Sequence, residues 1–294
     1  MIDVWNTLES AFDVIIGNLR TAEKDLPEHK IQTINGGLSL MDFLLFENQA
    51  INGAIVCQNL QRRAYNSPDK LDQNYRNLAK QGYATEQDGL FSVTDKGRAL
   101  YLDYFAQKAN AYAKVTLLSE DDFTDFINFL EKGYEAGKVA EKPAHKPSMV
   151  IGNDFYTTIG GGQLGTLLGW INLFELYRDD VHASAWQNAG LTGIQIEALT
   201  QIWRDVANTI EALSDDLAFR GYTPEEYQEA IDALASKGLL DVNNGHYTLT
   251  EKGVNLREQI EIDTDSLFNT FCAETYSTEE LANFERIIGI IKTS

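Results

Sequence analysis

The stretch Leu78-Ala79-Lys80-Gln81-Gly82-Tyr83-Ala84-Thr85-Glu86-Gln87-Asp88-Gly89-Leu90-Phe91-Ser92-Val93-Thr94-Asp95-Lys96-Gly97 returns later in the chain. Its second version is Leu234-Ala235-Ser236-Lys237-Gly238-Leu239-Leu240-Asp241-Val242-Asn243-Asn244-Gly245-His246-Tyr247-Thr248-Leu249-Thr250-Glu251-Lys252-Gly253. Leu78, Ala79, Gly82, Gly89, Thr94, Lys96, Gly97 and Leu100 recur as Leu234, Ala235, Gly238, Gly245, Thr250, Lys252, Gly253 and Leu256, at one constant offset and without a gap. Each copy reads as an amphipathic helix stopping at Gly, a strand, a tight turn, a second strand and a capped helix. Asp88-Gly89 and Asn244-Gly245 are strong hairpin-turn signals, because both central residues of such a turn need positive φ.

Helix, hairpin and following helix make up the third helix and wing of a winged helix-turn-helix unit, here present twice. Working outward, Trp5, Leu8, Phe12, Ile15, Ile16 and Leu19 place a helical face over 4–23. A long apolar helix is expected from Leu40 to Gln61. Ser67-Pro68 starts the helix before the first hairpin, and Thr223-Pro224 the one before the second. Ser119-Glu120-Asp121-Asp122 caps a helix through Leu130, and Ser277-Thr278-Glu279-Glu280 parallels it ahead of a helix to Ile291. In the second half, Phe155–Ile159 reads as a strand, and helices are expected over Gln163–Tyr177, Val181–Asn188, Gly193–Val206 and Thr209–Phe219. The domain reading is residues 1–135 with the first winged unit, a linker over 136–150 marked by Gly137, Pro143 and Pro147, and residues 151–294 with inserted helices and the second unit. The expected class is mainly α with small β-hairpin wings (α+β), the two units packed as an intramolecular pseudo-dimer. The solution species is then a monomer with an internal pseudo-two-fold axis, or a weak homodimer.

The 294 residues are 44% hydrophobic and 23% charged, the balance of a globular protein, with a net charge of −20. Residues 1–147 contribute −5 and residues 148–294 contribute −15. That field repels phosphates and opposes non-specific nucleic-acid binding, which is driven by clustered Lys and Arg. Cys57 and Cys272 are isolated, so neither a disulfide framework nor a metal motif is read, and a reducing compartment is expected. The N-terminus lacks a basic stretch ahead of an apolar one, and no apolar run approaches about 18 residues. The expectation is a cytoplasmic protein without membrane contact.

Val93-Thr94-Asp95-Lys96-Gly97 and Leu249-Thr250-Glu251-Lys252-Gly253, each closing a helix–hairpin pattern, resemble the end-of-wing motif of winged-helix regulators of the multiple-antibiotic-resistance (MarR) type. The resemblance implies a ligand-responsive transcription regulator. The Asp-x-Arg that precedes this motif in the family's wing, and contacts DNA there, is missing from both copies. Residues 176–256, with Tyr177-Arg178-Asp179-Asp180-Val181-His182-Ala183 and Ala189-Gly190-Leu191-Thr192-Gly193, also resemble a bacterial helix-turn-helix family of largely unassigned function.

Charge separates the two copies. Residues 61–82 carry Arg62, Arg63, Lys70, Arg76 and Lys80 against two acids, whereas residues 217–238 carry two basic residues against Glu225, Glu226, Glu229 and Asp232. Any DNA contact is therefore assigned to the first unit, through Arg62, Arg63, Arg76 and Lys80. The best ligand candidates are Arg178, Asp179, Asp180 and His182, with Trp170 and Trp186 among nearby aromatics. Arg178 and His182 are four apart and share a helical face, an arrangement suited to an anion or to acid–base chemistry. The competing role for these residues is a cap network, with Asp180 at the start of a helix over 181–188. An aromatic-lined cavity between the inserted helices and the second unit would take a small aromatic or anionic ligand. No metal or cofactor is expected, since the four His are dispersed and Gly160-Gly161-Gly162-Gln163-Leu164-Gly165 lacks the strand–helix–strand setting of a dinucleotide site. The alternative function is a winged-helix protein that leaves DNA alone and binds a small molecule or protein partner, with an enzyme among the options.

Overall fold

The computed structural model describes residues 3–46, 49–151 and 160–293. The described residues are mainly helical, with two separate two-stranded antiparallel sheets among them. The helices are α1 Val4–Glu9, α2 Phe12–Glu23, α3 Lys30–Thr33, α4 Leu40–Leu45, α5 Gly53–Asn59, α6 Pro68–Lys80, α7 Asp95–Tyr112, α8 Glu120–Val139 and α9 Pro147–Ile151. They continue as α10 Gly162–Asn188, α11 Gly193–Trp203, α12 Ile210–Asp216, α13 Pro224–Ser236, α14 Glu251–Thr275 and α15 Thr278–Ile291. The hairpins are β1 Ala84–Gln87 with β2 Leu90–Val93, and β3 Leu240–Asn243 with β4 His246–Leu249.

The repeated residues make repeated bonds. Ala84 pairs with Val93, and Leu240 with Leu249. The turn residues Asp88, Gly89, Asn244 and Gly245 all have positive φ. Thr94 Oγ1 accepts from the Gly97 amide at 3.1 Å and donates to the Gly82 carbonyl at 2.9 Å; Thr250 does the same with Gly253 and Gly238 at 3.1 and 2.8 Å. Lys96 Nζ reaches the Gln81 carbonyl at 2.7 Å, and Lys252 Nζ the Lys237 carbonyl at 2.6 Å. Gly97 and Gly253 are required by close approach, since a Cβ at either would fall 2.1 Å from the carbonyl oxygen of Tyr83 or Leu239.

The correspondence extends upstream of the sequence repeat. Ile51 exchanges backbone bonds with Phe91 at 2.9 and 2.7 Å, and Tyr247 donates to Asn208 at 2.9 Å. Asn52 caps α5 and Thr209 caps α12. A 3-10 turn follows each, at Gln61–Arg63 and Ala218–Arg220. Arg63 then pairs with Asp42, and Arg220 with Glu197, each at 3.0 Å. Most side chains differ here, and the offset slips by one residue from that of the hairpins, so that Leu60 and Arg63 match Leu217 and Arg220.

Several expected boundaries are corrected. The helix expected over Leu40–Gln61 is broken into α4 and α5, because Ile51 is drawn into the bridge with Phe91 and Asn52 restarts the helix as its cap. The span 4–23 is two helices. Those expected over 163–177 and 181–188 are one continuous α10, since no Gly or Pro interrupts residues 170–188. The stretch 136–150, expected as linker, holds the last turn of α8 and most of α9, with Pro147, Ser148 and Met149 buried. The strand expected at Phe155–Ile159 lies outside the described residues.

Two apolar cores result. One gathers α1 through most of α10 together with the end of α14 and α15; the other, from Ala183 to Ile260, belongs to the second unit. The expected boundary near 150 therefore falls within the first core. Helices α8 and α15 meet at positions related by their matching Ser caps: Phe126 packs on Phe284 with centroids 5.9 Å apart, and Asn283 Nδ2 donates to Asp125 at 2.9 Å. Phe129 stacks on Tyr276 at 3.9 Å and on Phe284 at 4.4 Å.

Candidate ligand cleft

Arg178, Asp179 and Asp180, successive positions of α10, point in different directions, because a helix turns about 100° per residue. Arg178 and His182 face a cleft of about 480 Å³ between α1, α10, α11 and α14. Asp179 faces the other way and pairs with Arg62 at 3.0 Å. Asp180 is buried and accepts from the Ser148 and Met149 amides, both at 3.0 Å. Burial pushes its carboxyl up to about 6 against those amide bonds. It is a cap, but of α9 rather than of a helix beginning at 181.

The cleft brings together groups far apart in sequence. Arg178 lies over the Trp5 ring at 4.3 Å, Arg257 over Trp203 at 5.2 Å and Arg220 over Tyr65 at 5.3 Å. Arg204 also lines the cleft. Stacking on a ring holds a guanidinium flat and leaves its edge to donate. Three carboxylates stand behind the arginines: Asp265 on Arg178 at 3.4 Å, Glu261 on Arg257 at 2.5 Å and Glu197 on Arg220 at 3.0 Å. The Nε atoms of Arg178 and Arg220 are buried without a hydrogen-bond partner among the described residues. Burial holds the His182 imidazole below its usual range, so it is neutral near pH 7; its Nδ1 lies 3.2 Å from the Thr264 hydroxyl. Burial also raises the Glu197 and Asp265 carboxyls despite their arginines.

Of the other expected ligand residues, Trp186 is buried beneath the cleft, its indole N–H donating to the Tyr65 hydroxyl at 3.2 Å. Trp170 is elsewhere, edge-on to Tyr134 on α8. Trp5, Tyr65, Arg204, Arg220 and Arg257 escaped sequence reading. Only the spacing of Arg257 and Glu261, four apart on a helix, carried a local signal.

The expected DNA contacts divide. Arg62 is held by Asp179, by Glu175 at 3.8 Å and by Asn172 at 3.1 Å. Arg63 is held by buried Asp42, which also accepts from Tyr75 at 3.0 Å. Both precede α6 and brace the interior, a correction to the outward role expected of them. Arg76 and Lys80 are exposed on α6 with Lys70, and Arg76 lies 3.9 Å from Glu86. The matching face of α13 exposes Glu225, Glu229 and Asp232.

Among the described residues, no group of His, Cys, Asp and Glu is placed to hold a metal, and no helix is long and apolar enough to cross a membrane. Among the described residues, both sheets are antiparallel pairs, and none supplies a parallel strand beside the glycine run at the start of α10. Residues 163–290 match the model of a helix-turn-helix family, which supports a helix-turn-helix in the C-terminal part of the chain. No curated protein and no solved structure matches the chain.

Proposed function

We propose that this chain is a helix-turn-helix protein of MarR-like descent, two winged units joined as an internal pseudo-dimer, that binds a small anionic molecule in the arginine cleft. The observation that carries the reading is the convergence of Arg178, Arg204, Arg220 and Arg257 on one cleft in a protein of net charge −20. Two buried guanidinium N–H groups there have no partner among the described residues, and a carboxylate or phosphate supplies the acceptors they need. The aromatic floor of Trp5, Tyr65 and Trp203 suits a flat apolar body attached to that anion.

The pseudo-dimer is supported by contacts between matched positions. Phe126 meets Phe284, Asp125 meets Asn283, and Asn66 accepts from Tyr222. Self-contacts of this kind mark a two-fold axis in a symmetric dimer. The cleft itself is unsymmetrical, for the positions matching Arg257 and Glu261 are Tyr101 and Phe105.

Titration with benzoate and inorganic phosphate, followed by tryptophan fluorescence, tests the site. Saturable quenching that Arg178→Gln abolishes is expected. Absence of any response to either anion at millimolar concentration overturns the reading.

A second reading, regulation through DNA, is favoured by the exposed Lys70, Arg76 and Lys80 on α6. Three phosphate contacts predict a slope of roughly −3 for log affinity against log salt. A duplex from the chain's own upstream region that fails to bind at low salt removes it.

A further inference from the structure

Helix α6 begins at a clasp. Its cap residue Ser67 donates its amide to the Arg220 carbonyl at 2.9 Å. The preceding residue, Asn66, accepts the Tyr222 hydroxyl on its carbonyl at 2.9 Å and the Arg220 guanidinium on Oδ1 at 3.4 Å. Asn66 and Ser67 are both buried. Gly221, at φ +82°, lets the stem of Lys70 lie across the same turn, and a Cβ there would fall 2.3 Å from Lys70 Cγ. Helix α13 begins at once after Tyr222, so the N-termini of α6 and α13 are pinned to each other. In helix-turn-helix dimers these N-terminal residues touch base edges, at half-sites about 34 Å apart. A pair clasped end to end cannot meet that spacing, and the clasp covers the start of α6, the less acidic of the two.

Arg220 belongs to both structures: its guanidinium reaches Asn66 on one side, and Glu197 and the Tyr65 ring in the cleft on the other. We infer that the 218–222 turn is an autoinhibitory clasp on the N-terminus of α6, and that an anion engaging Arg220 in the cleft loosens it. The first clause rests on the DNA reading above and the second on the cleft reading. Coupling of this kind is reciprocal, so opening the clasp with Arg220 still in place also strengthens anion binding.

Hydrogen exchange on the full chain tests the clasp without DNA or ligand. In the double variant Arg220→Gln/Tyr222→Phe, protection of the Ser67, Lys70 and Leu71 amides is expected to fall roughly 5- to 30-fold, while amides of β3 and β4 keep theirs. Asn66→Ala, which removes one contact from the opposite side, gives a smaller loss in the same segment and guards against misfolding of the double variant. Unchanged protection at 67–71 in both variants overturns the clasp. Inorganic phosphate added to the wild-type chain is expected to lower protection of the same segment, and to have no such effect in Arg220→Gln. Phosphate that quenches tryptophan fluorescence yet leaves 67–71 protected overturns the coupling while sparing the cleft. Phosphate that does neither overturns the cleft and the coupling together, and the variants still decide the clasp.

Discussion

Replacing Thr94 or Thr250 by Val removes a hydroxyl from a half-buried position while keeping the volume. Each hydroxyl serves twice. It caps a helix by accepting from the amide three residues on, at 3.1 Å in both copies. It also ties that helix to the one before the hairpin, by donating to the carbonyl of Gly82 at 2.9 Å or of Gly238 at 2.8 Å. Loss of an N-cap costs about 1 kcal/mol. A further net hydrogen bond adds about 0.5–1 kcal/mol, reduced because water can reach the freed carbonyl. The expected loss is about 1.5–2 kcal/mol for each variant and nearly equal in the two. For a chain of this length, whose unfolding entropy scales with residue number, that lowers the melting temperature by about 3 °C. Exchange of the hairpin and first-turn amides, measured beside thermal unfolding, localises each effect. Thr85→Val, whose exposed hydroxyl makes only a 3.5 Å contact across its hairpin, is the control and should stay within about 0.5 kcal/mol. Losses under about 0.5 kcal/mol at both sites, or a difference above about 1 kcal/mol between them, refute the idea that matched caps hold the two units alike.

Glu175 lies against Arg62 and is pushed by burial up to about 7. The folded state then holds its proton more tightly than the unfolded state, so this group's contribution to stability falls as pH rises from about 4.5 through about 7. Glu175→Gln should match the wild type near pH 4.5 and exceed it at pH 8 by no more than about 3 kcal/mol in urea titrations; equal stability at both pH values refutes this. His182, buried and held below its ordinary range, favours the folded state while neutral; that contribution is present above about pH 6.5 and is lost as acid protonates it. Its ring proton resonances should stay still between pH 8 and 6.5, and a midpoint near 6.5 would contradict the burial argument. In Gly193→Ala the new Cβ would fall 1.9 Å from the Ala64 carbonyl oxygen, backbone that cannot step aside, so a loss of about 2–3 kcal/mol is expected by thermal unfolding.

Local chemistry was legible in the residues. The hairpin turns, the Ser and Thr caps, the Pro at first turns and the paired glycines all act within a few positions, so the helix–hairpin–helix path of both copies could be read directly. Helix ends governed by distant partners were not legible. Asn52 restarts a helix because Phe91 takes Ile51 into a bridge, and Asp180 caps α9 from within α10. The cleft was half legible: Arg178 and His182 stood out by spacing, but Asp179 and Asp180 proved to be struts.

The sequence alone determined the two helix–hairpin–helix paths and the contrast in charge between α6 and α13, since both follow from residue type and spacing along one element. Only the tertiary structure decided which charges are available. It turned Arg62 and Arg63 inward to Asp179 and Asp42, gathered Arg204, Arg220 and Arg257 around Arg178, and set the starts of α6 and α13 against each other. The physical reason is that a guanidinium's partner is fixed by packing across the whole chain, at separations no local pattern records.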